Sequence, residues 1–138
     1  MIVKHNDYLE YDIPDGWEIE DEDDLTSIFC CDGEGALTFS YYSITEMKTT
    51  ITEQISIMAK NFIDSNHLKM DHALILDGTA RDKKVLYGTG VTTDKWFIKF
   101  WFIAKNPRVV FATYKSEKKT AEVKTVDRII DSISFVSD

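Results

Sequence analysis

The chain has 138 residues and a formal net charge of -8, from 24 acidic and 16 basic side chains. With 43% apolar residues, 29% charged residues, 2 prolines and 6 glycines, the composition excludes disordered, collagen-like and linker classes and fits a globular protein. The acidic balance argues against nucleic acid and anionic membrane surfaces, whose phosphates would repel it, and matches a basic protein partner.

This length predicts one domain over residues 1–138, large enough to bury roughly two-thirds of its unfolded surface without disulfides or metal. The opening residues hold no apolar run of signal-peptide length, and no later segment has transmembrane length, so the expectation is a cytoplasmic protein. Cys30 and Cys31 are neighbours. In a strand they point to opposite faces, which opposes a bond between them and predicts two reduced, apolar side chains.

In chain order, Tyr8–Ile13 is a predicted strand ended by Pro14-Asp15-Gly16, a turn in which proline pre-sets φ. Trp17 and Ile19 form a short extended piece leading into an acidic run, with six carboxylates at positions 18 to 24. The expected structure of that run is a solvated loop. Leu25–Cys31 and Ala36–Ile44 read as a hairpin around Asp32-Gly33-Glu34-Gly35.

The period then changes. Ile51, Ile55, Met58, Ala59 and Phe62 recur at helical spacing between Thr50 and Asn66. Thr50 or Thr52 can cap this helix, with Glu53 three residues after Thr50. Ile57 falls off the apolar stripe. Extended structure resumes at Ala73–Thr79 and Lys83–Thr92, where Gly88-Thr89-Gly90 marks a bulge or a close backbone approach.

Lys95–Ala104 reads KWFIKFWFIA. With period two, Trp96, Ile98, Phe100 and Phe102 share one face; Phe97, Lys99, Trp101 and Ile103 share the other. Both faces are apolar, so this strand belongs in mid-sheet, covered on each side. Asn106-Pro107-Arg108 turns the chain into Val109–Ser116, and three strands with short connections imply an antiparallel meander. Thr120–Ile133 is a second amphipathic helix, with Val123, Val126, Ile129, Ile130 and Ile133 on one side. The predicted fold class is α+β: an α/β/α sandwich around a central antiparallel sheet, in the order βββ-α-ββββ-α.

This order, the length and the run from Tyr8 to Trp17 resemble the Mog1/PsbP-like fold, which includes DcrB-like domains. Tyr8, Tyr11, Ile13, Pro14, Gly16 and Trp17 match a Tyr-x-Tyr-x-Ile-Pro-x-Gly-Trp opening with one extra position. The resemblance implies a mostly non-catalytic group of binding modules, assembly factors, adaptors and subunits of larger complexes. It carries over no functional residue, and Trp17 has a structural role in such domains.

Residue by residue, chemistry is sparse. No nucleophile elbow, Walker loop or dinucleotide-binding glycine motif occurs. His67 and His72, with Asp64 and Asp71, lie near the end of the first helix at a spacing that does not match helical ligand pairs. His67 there complements the helix dipole. No catalytic residue, cofactor or metal site is predicted. The acidic run lacks the glycine-centred spacing of a calcium loop. Glu20, Asp21, Glu22, Asp23 and Asp24 are therefore candidates for contact with a basic protein, because electrostatic steering needs no special geometry.

Lys99 is the anomaly. A lysine among Phe97, Trp101 and Ile103 must snorkel to solvent, pair with a carboxylate or line a cavity. The leading expectation is a non-enzymatic protein-interaction module of adaptor, assembly-factor or immunity type, binding neither nucleic acid nor membrane, as a monomer or weak dimer. The alternative is a small-ligand binder or an unrecognised hydrolase with an aromatic pocket around Lys99 and Trp101.

Overall fold

The computed structural model describes residues 1–5, 9–22, 24–30, 33–44, 49–77 and 83–136. Five strands precede the first helix: β1 (Ile2–His5), β2 (Leu9–Asp12), β3 (Trp17–Glu22), β4 (Leu25–Cys30) and β5 (Gly35–Ser43). Helix α1 (Ile51–Ser65) follows, then β6 (Lys69–Met70), β7 (Ile75–Asp77), β8 (Lys84–Val91), β9 (Phe97–Lys105) and β10 (Arg108–Ser116). Helix α2 (Glu122–Asp131) and β11 (Ser134–Phe135) complete the chain.

The large sheet has the order β3-β4-β5-β10-β9-β8-β6, with β7 also on β8, and every pairing is antiparallel. The aromatic strand β9 is interior, flanked by β10 and β8, as its two apolar faces require. Phe97, Trp101 and Ile103 join Val123, Val126, Ile129 and Ile130 of α2 in one core. Ile98, Phe100, Phe102 and Ala104 join Ile55 and Ala59 of α1 in the other. Trp96, assigned to the strand from sequence, precedes it and is exposed.

Strands β1, β6 and β11 were not legible from the sequence, and β3 was legible only as a short extended piece, whereas β2 lies within the predicted strand Tyr8–Ile13. β1, β2 and β11 make a separate three-stranded sheet. Leu9, Tyr11, Ile13 and Phe135 enter the α2-side core, so this small sheet and α2 share one face of the large sheet. The two-helix sandwich therefore has a composite second layer. The acidic run is also corrected: residues 17–22 form β3, an edge strand paired from Trp17↔Cys30 to Glu22↔Leu25. Trp17 and Ile19 pack on the α2-side core and anchor the strand, while acidic side chains line a sheet edge where they discourage pairing with another chain.

Local signals behave as their chemistry requires. Thr50 caps α1, its hydroxyl accepting from Glu53 N at 3.2 Å. Ile57 is exposed, which accounts for its place off the stripe. The helix ends in a Schellman motif: His67, at φ 50, donates its N–H to Asp64 O, and Leu68 N donates to Ile63 O. His67 thus serves the turn conformationally. Gly16 takes φ 87 in the turn after Pro14. Gly88 and Gly90 mark close approach: a Cβ on Gly90 would meet Lys69 O at 2.6 Å. The Asn106–Pro107 peptide is cis. Cys30 ends β4; Cys31, Asp32 and Thr79 lie outside the described residues.

Candidate functional site

Alternation along β3 divides the acidic run. Trp17, Ile19 and Asp21 point toward the α2 side; Glu18, Glu20 and Glu22 point toward the α1 side. Asp21 is occupied. It accepts from Thr26 Oγ1 at 2.5 Å and lies 3.7 Å from His5 Nδ1. His5 stacks on Tyr41, and the Tyr41 hydroxyl donates to Thr26 Oγ1 at 2.6 Å. The nearby Tyr11 hydroxyl is buried without a hydrogen-bond partner among the described residues. Burial first, and Asp21 second, push the Tyr11 phenol up to about 12.

Glu18, Glu20 and Glu22 are exposed and make no ion pair with the described residues. Asp24 sits in the exposed β3–β4 turn, and Asp23 lies outside the described residues. Of the predicted contact residues, the structure thus groups Glu20 and Glu22 with Glu18 on one face, sets Asp24 at its end and turns Asp21 to the opposite side.

That face is only half covered. Helix α1 packs on β8 and β9, and no described element covers β3 and β4 there. Leu25 is 40% exposed and Tyr42 is 46% exposed. Between α1 and the open half runs a groove of about 350 Å³, lined by Tyr42, Met58, Asn61, Phe62, Phe102 and Phe111 among others. Phe102 and Phe111 stack at 4.4 Å, and Phe62 meets Phe111 edge-on at 4.8 Å. None of these residues was singled out as a site in the sequence. Phe111 alternates out of the α2-side core, which is the only trace of the groove in β10.

Lys99 lies on the other face. Its ammonium is 2.7 Å from Asp127 Oδ1 of α2, with side-chain exposures of 13% and 38%. It also sits 5.1 Å from the Tyr87 ring centroid and 5.3 Å from that of Trp101, so π faces and a carboxylate together replace the lost hydration. Asp77, Lys83, Tyr87, Trp101 and Asp131 join this pair around a cleft of about 490 Å³. Lys83 donates to Asp131 O at 3.3 Å, at the end of α2, and to Ile133 O at 2.5 Å just beyond it. Lys99 thus meets two of its three expectations at once: a carboxylate partner, on the wall of a cavity. An anion entering there would compete with Asp127 for a charge already balanced.

At the other end of α2, Glu122 Oε1 accepts from the Tyr114 hydroxyl at 2.7 Å and from Gly35 N at 3.1 Å. Burial, then Glu122, push the Tyr114 phenol up to about 12. His72 lies at β8, its Nε2 3.4 Å from Thr89 Oγ1, which donates to Asp71 at 3.0 Å. No group of three or more His, Cys, Asp or Glu among the described residues could hold a metal ion. Among the described residues, no helix is long and apolar enough to cross a membrane.

No protein-family model matches the chain, and no curated protein matches it. Solved structures do. A crystal structure from Bacteroides thetaiotaomicron superimposes with a TM-score of 0.69 at 11% identity over 96% of this chain, which spans 46% of that longer one. A point mutant of protein Mog1 gives 0.66 at 9% identity, covering 99% of this chain and 96% of that one. Cyanobacterial PsbP from Synechocystis gives 0.63 at 13% identity, covering 92% and 86%. With its antiparallel eight-stranded sheet between α1 and α2, the chain has the Mog1/PsbP-like fold.

Proposed function

We propose that the chain is a non-catalytic protein-interaction module of adaptor, assembly-factor or immunity type, and that it takes a basic partner along β3. One observation carries this reading: Glu18, Glu20 and Glu22 form a row on an edge strand, exposed and without ion pairs to the described residues. Carboxylates held at one spacing on a rigid strand, in a chain of net charge -8, attract a basic surface at long range and orient it on arrival.

The test compares wild type with Glu18→Lys/Glu20→Lys/Glu22→Lys in affinity capture from the source cell. A basic protein retained by wild type and lost by the variant supports the reading. Its association rate should fall steeply with added salt, because exposed charges are screened beyond about 10 Å at 0.1 M. Recovery of no partner, together with turnover on a small-molecule panel, overturns it.

A second reading rests on the Lys99 cleft, whose volume and aromatic walls suit a small ligand. Calorimetric titration of a metabolite panel against wild type and Trp101→Ala tests it. Binding that survives the substitution removes this reading.

A further inference from the structure

Strand register joins the acidic edge to the apolar groove. Glu22 pairs with Leu25, Leu25 with Ser40, Ser40 with Phe111, and Phe111 with Phe102. These residues form one cross-strand row on the α1 side of the sheet. Along it the chemistry changes from carboxylate, through exposed Leu25 and the Ser40 hydroxyl, to the stacked Phe111–Phe102 pair beneath α1. The next row repeats the gradient, from Glu20 through Ser27, Thr38 and Thr113 to buried Phe100. Adjacent strands are about 4.8 Å apart, so Glu22 and Phe111 are separated by three steps, roughly 14 Å.

We propose that the groove between α1 and β10 is an anchoring site for the basic partner: a protein segment that seats one aromatic or long aliphatic side chain between Tyr42, Met58, Phe62 and Phe111 while its lysines or arginines meet Glu20 and Glu22. The inference rests on the interaction reading above and adds to it the position and chemistry of the anchor. Two features argue for this occupant. The groove opens beside exposed Leu25 and Tyr42, an apolar track that no described element covers, and such tracks rimmed by polar residues mark contact surfaces. Charge complementarity then selects a cationic segment, and it opposes a second copy, which would set one acidic row against another.

Two synthetic peptides serve as probes: an oligolysine peptide, and the same peptide with one tryptophan about four residues beyond its last lysine, to span the row in extended form. Both are titrated at low salt against wild type, Tyr42→Lys and Asn61→Lys, with thermal melts confirming that the variants fold; both substituted positions are exposed. The expected result is salt-dependent binding of both peptides, with the tryptophan peptide about ten-fold tighter on wild type and the advantage lost in both variants. A tryptophan that adds nothing, or whose advantage survives both substitutions, overturns the anchoring site and leaves the acidic edge standing. Failure of either peptide to bind at low salt defeats the electrostatic reading itself. Salt-strengthened dimerisation of the free protein that Tyr42→Lys abolishes assigns the groove to a second copy and likewise overturns the proposal.

Discussion

Lys99 Nζ and Asp127 Oδ1, 2.7 Å apart, tie the interior strand of the large sheet to the helix that covers it. The two ends of this pair are not equally wet: the lysine is mostly enclosed by Tyr87 and Trp101, while the aspartate keeps access to solvent. Deleting the carboxylate strands an enclosed cation; deleting the cation leaves a carboxylate that water can serve. Asp127→Ala should therefore lower stability by about 1–3 kcal/mol in urea unfolding, and Lys99→Met, which keeps the volume, by less than about 1 kcal/mol. The reverse order would mean that Lys99 contributes through packing or a ligand contact.

Tyr11 and Tyr114 have phenols raised from 10.0 to about 12, one without a hydrogen-bond partner among the described residues and one bonded to Glu122. Below pH 10 native and unfolded chains both hold these protons. Between pH 10 and about 12 the unfolded chain releases them while the native chain keeps them, so stability falls as pH rises through that window and levels above it. Stability of wild type minus that of Tyr11→Phe should decline across the same window, and likewise for Tyr114→Phe. At neutral pH the two variants should separate: Tyr114→Phe costs about 1–2 kcal/mol by breaking its bond to Glu122, while Tyr11→Phe is neutral or stabilising by about 1 kcal/mol. Equal costs would show that the Tyr11 hydroxyl has a partner in solution.

The two ends of α1 predict changes of opposite sign. Thr50→Ala removes the acceptor of Glu53 N and should cost about 1 kcal/mol. His67→Gly relieves a non-glycine residue at φ 50 and should stabilise by up to about 1 kcal/mol, because a Schellman C′ position favours glycine. Thermal unfolding of the two variants and their double mutant checks both signs, and the effects should add, since the sites share no partner.

Gly35 sits where β5, β10 and α2 converge. A Cβ there would meet Lys115 O at 2.5 Å and the Tyr114 ring at 2.7 Å. Backbone cannot yield as a flexible side-chain tip can, so Gly35→Ala should destabilise by about 1–3 kcal/mol in denaturant titration. Gly16→Ala has open space around it and only its φ of 87 to oppose it, and should cost about 1 kcal/mol.

The residues proposed for partner contact were legible by type and only partly by place. The acidic run is visible as charge. Whether its members act together depends on strand alternation, which puts Glu18, Glu20 and Glu22 on one face and ties Asp21 to Thr26 on the other. The run lacks the alternation of apolar and polar residues over a full strand, since Trp17 and Ile19 are its only inward apolar anchors. It therefore reads as a loop until β4 supplies the missing hydrogen bonds. Likewise β1 and β11 are too short to declare themselves, and they exist because β2 lies between them.

By itself the sequence determined the periods: two for KWFIKFWFIA, near 3.6 for both helices, and with them the interior place of β9, the hairpin, the meander and the cap of α1. These follow from neighbours along the chain, where side-chain spacing and backbone geometry act directly. Only the tertiary structure decided which carboxylate meets Lys99, that a three-stranded sheet shares a face with α2, and that the acidic edge and the phenylalanine groove lie on a single row. Those relations join residues such as Glu22 and Phe111 through three successive strand pairings, and no local spacing encodes a register that exists only once the strands have met.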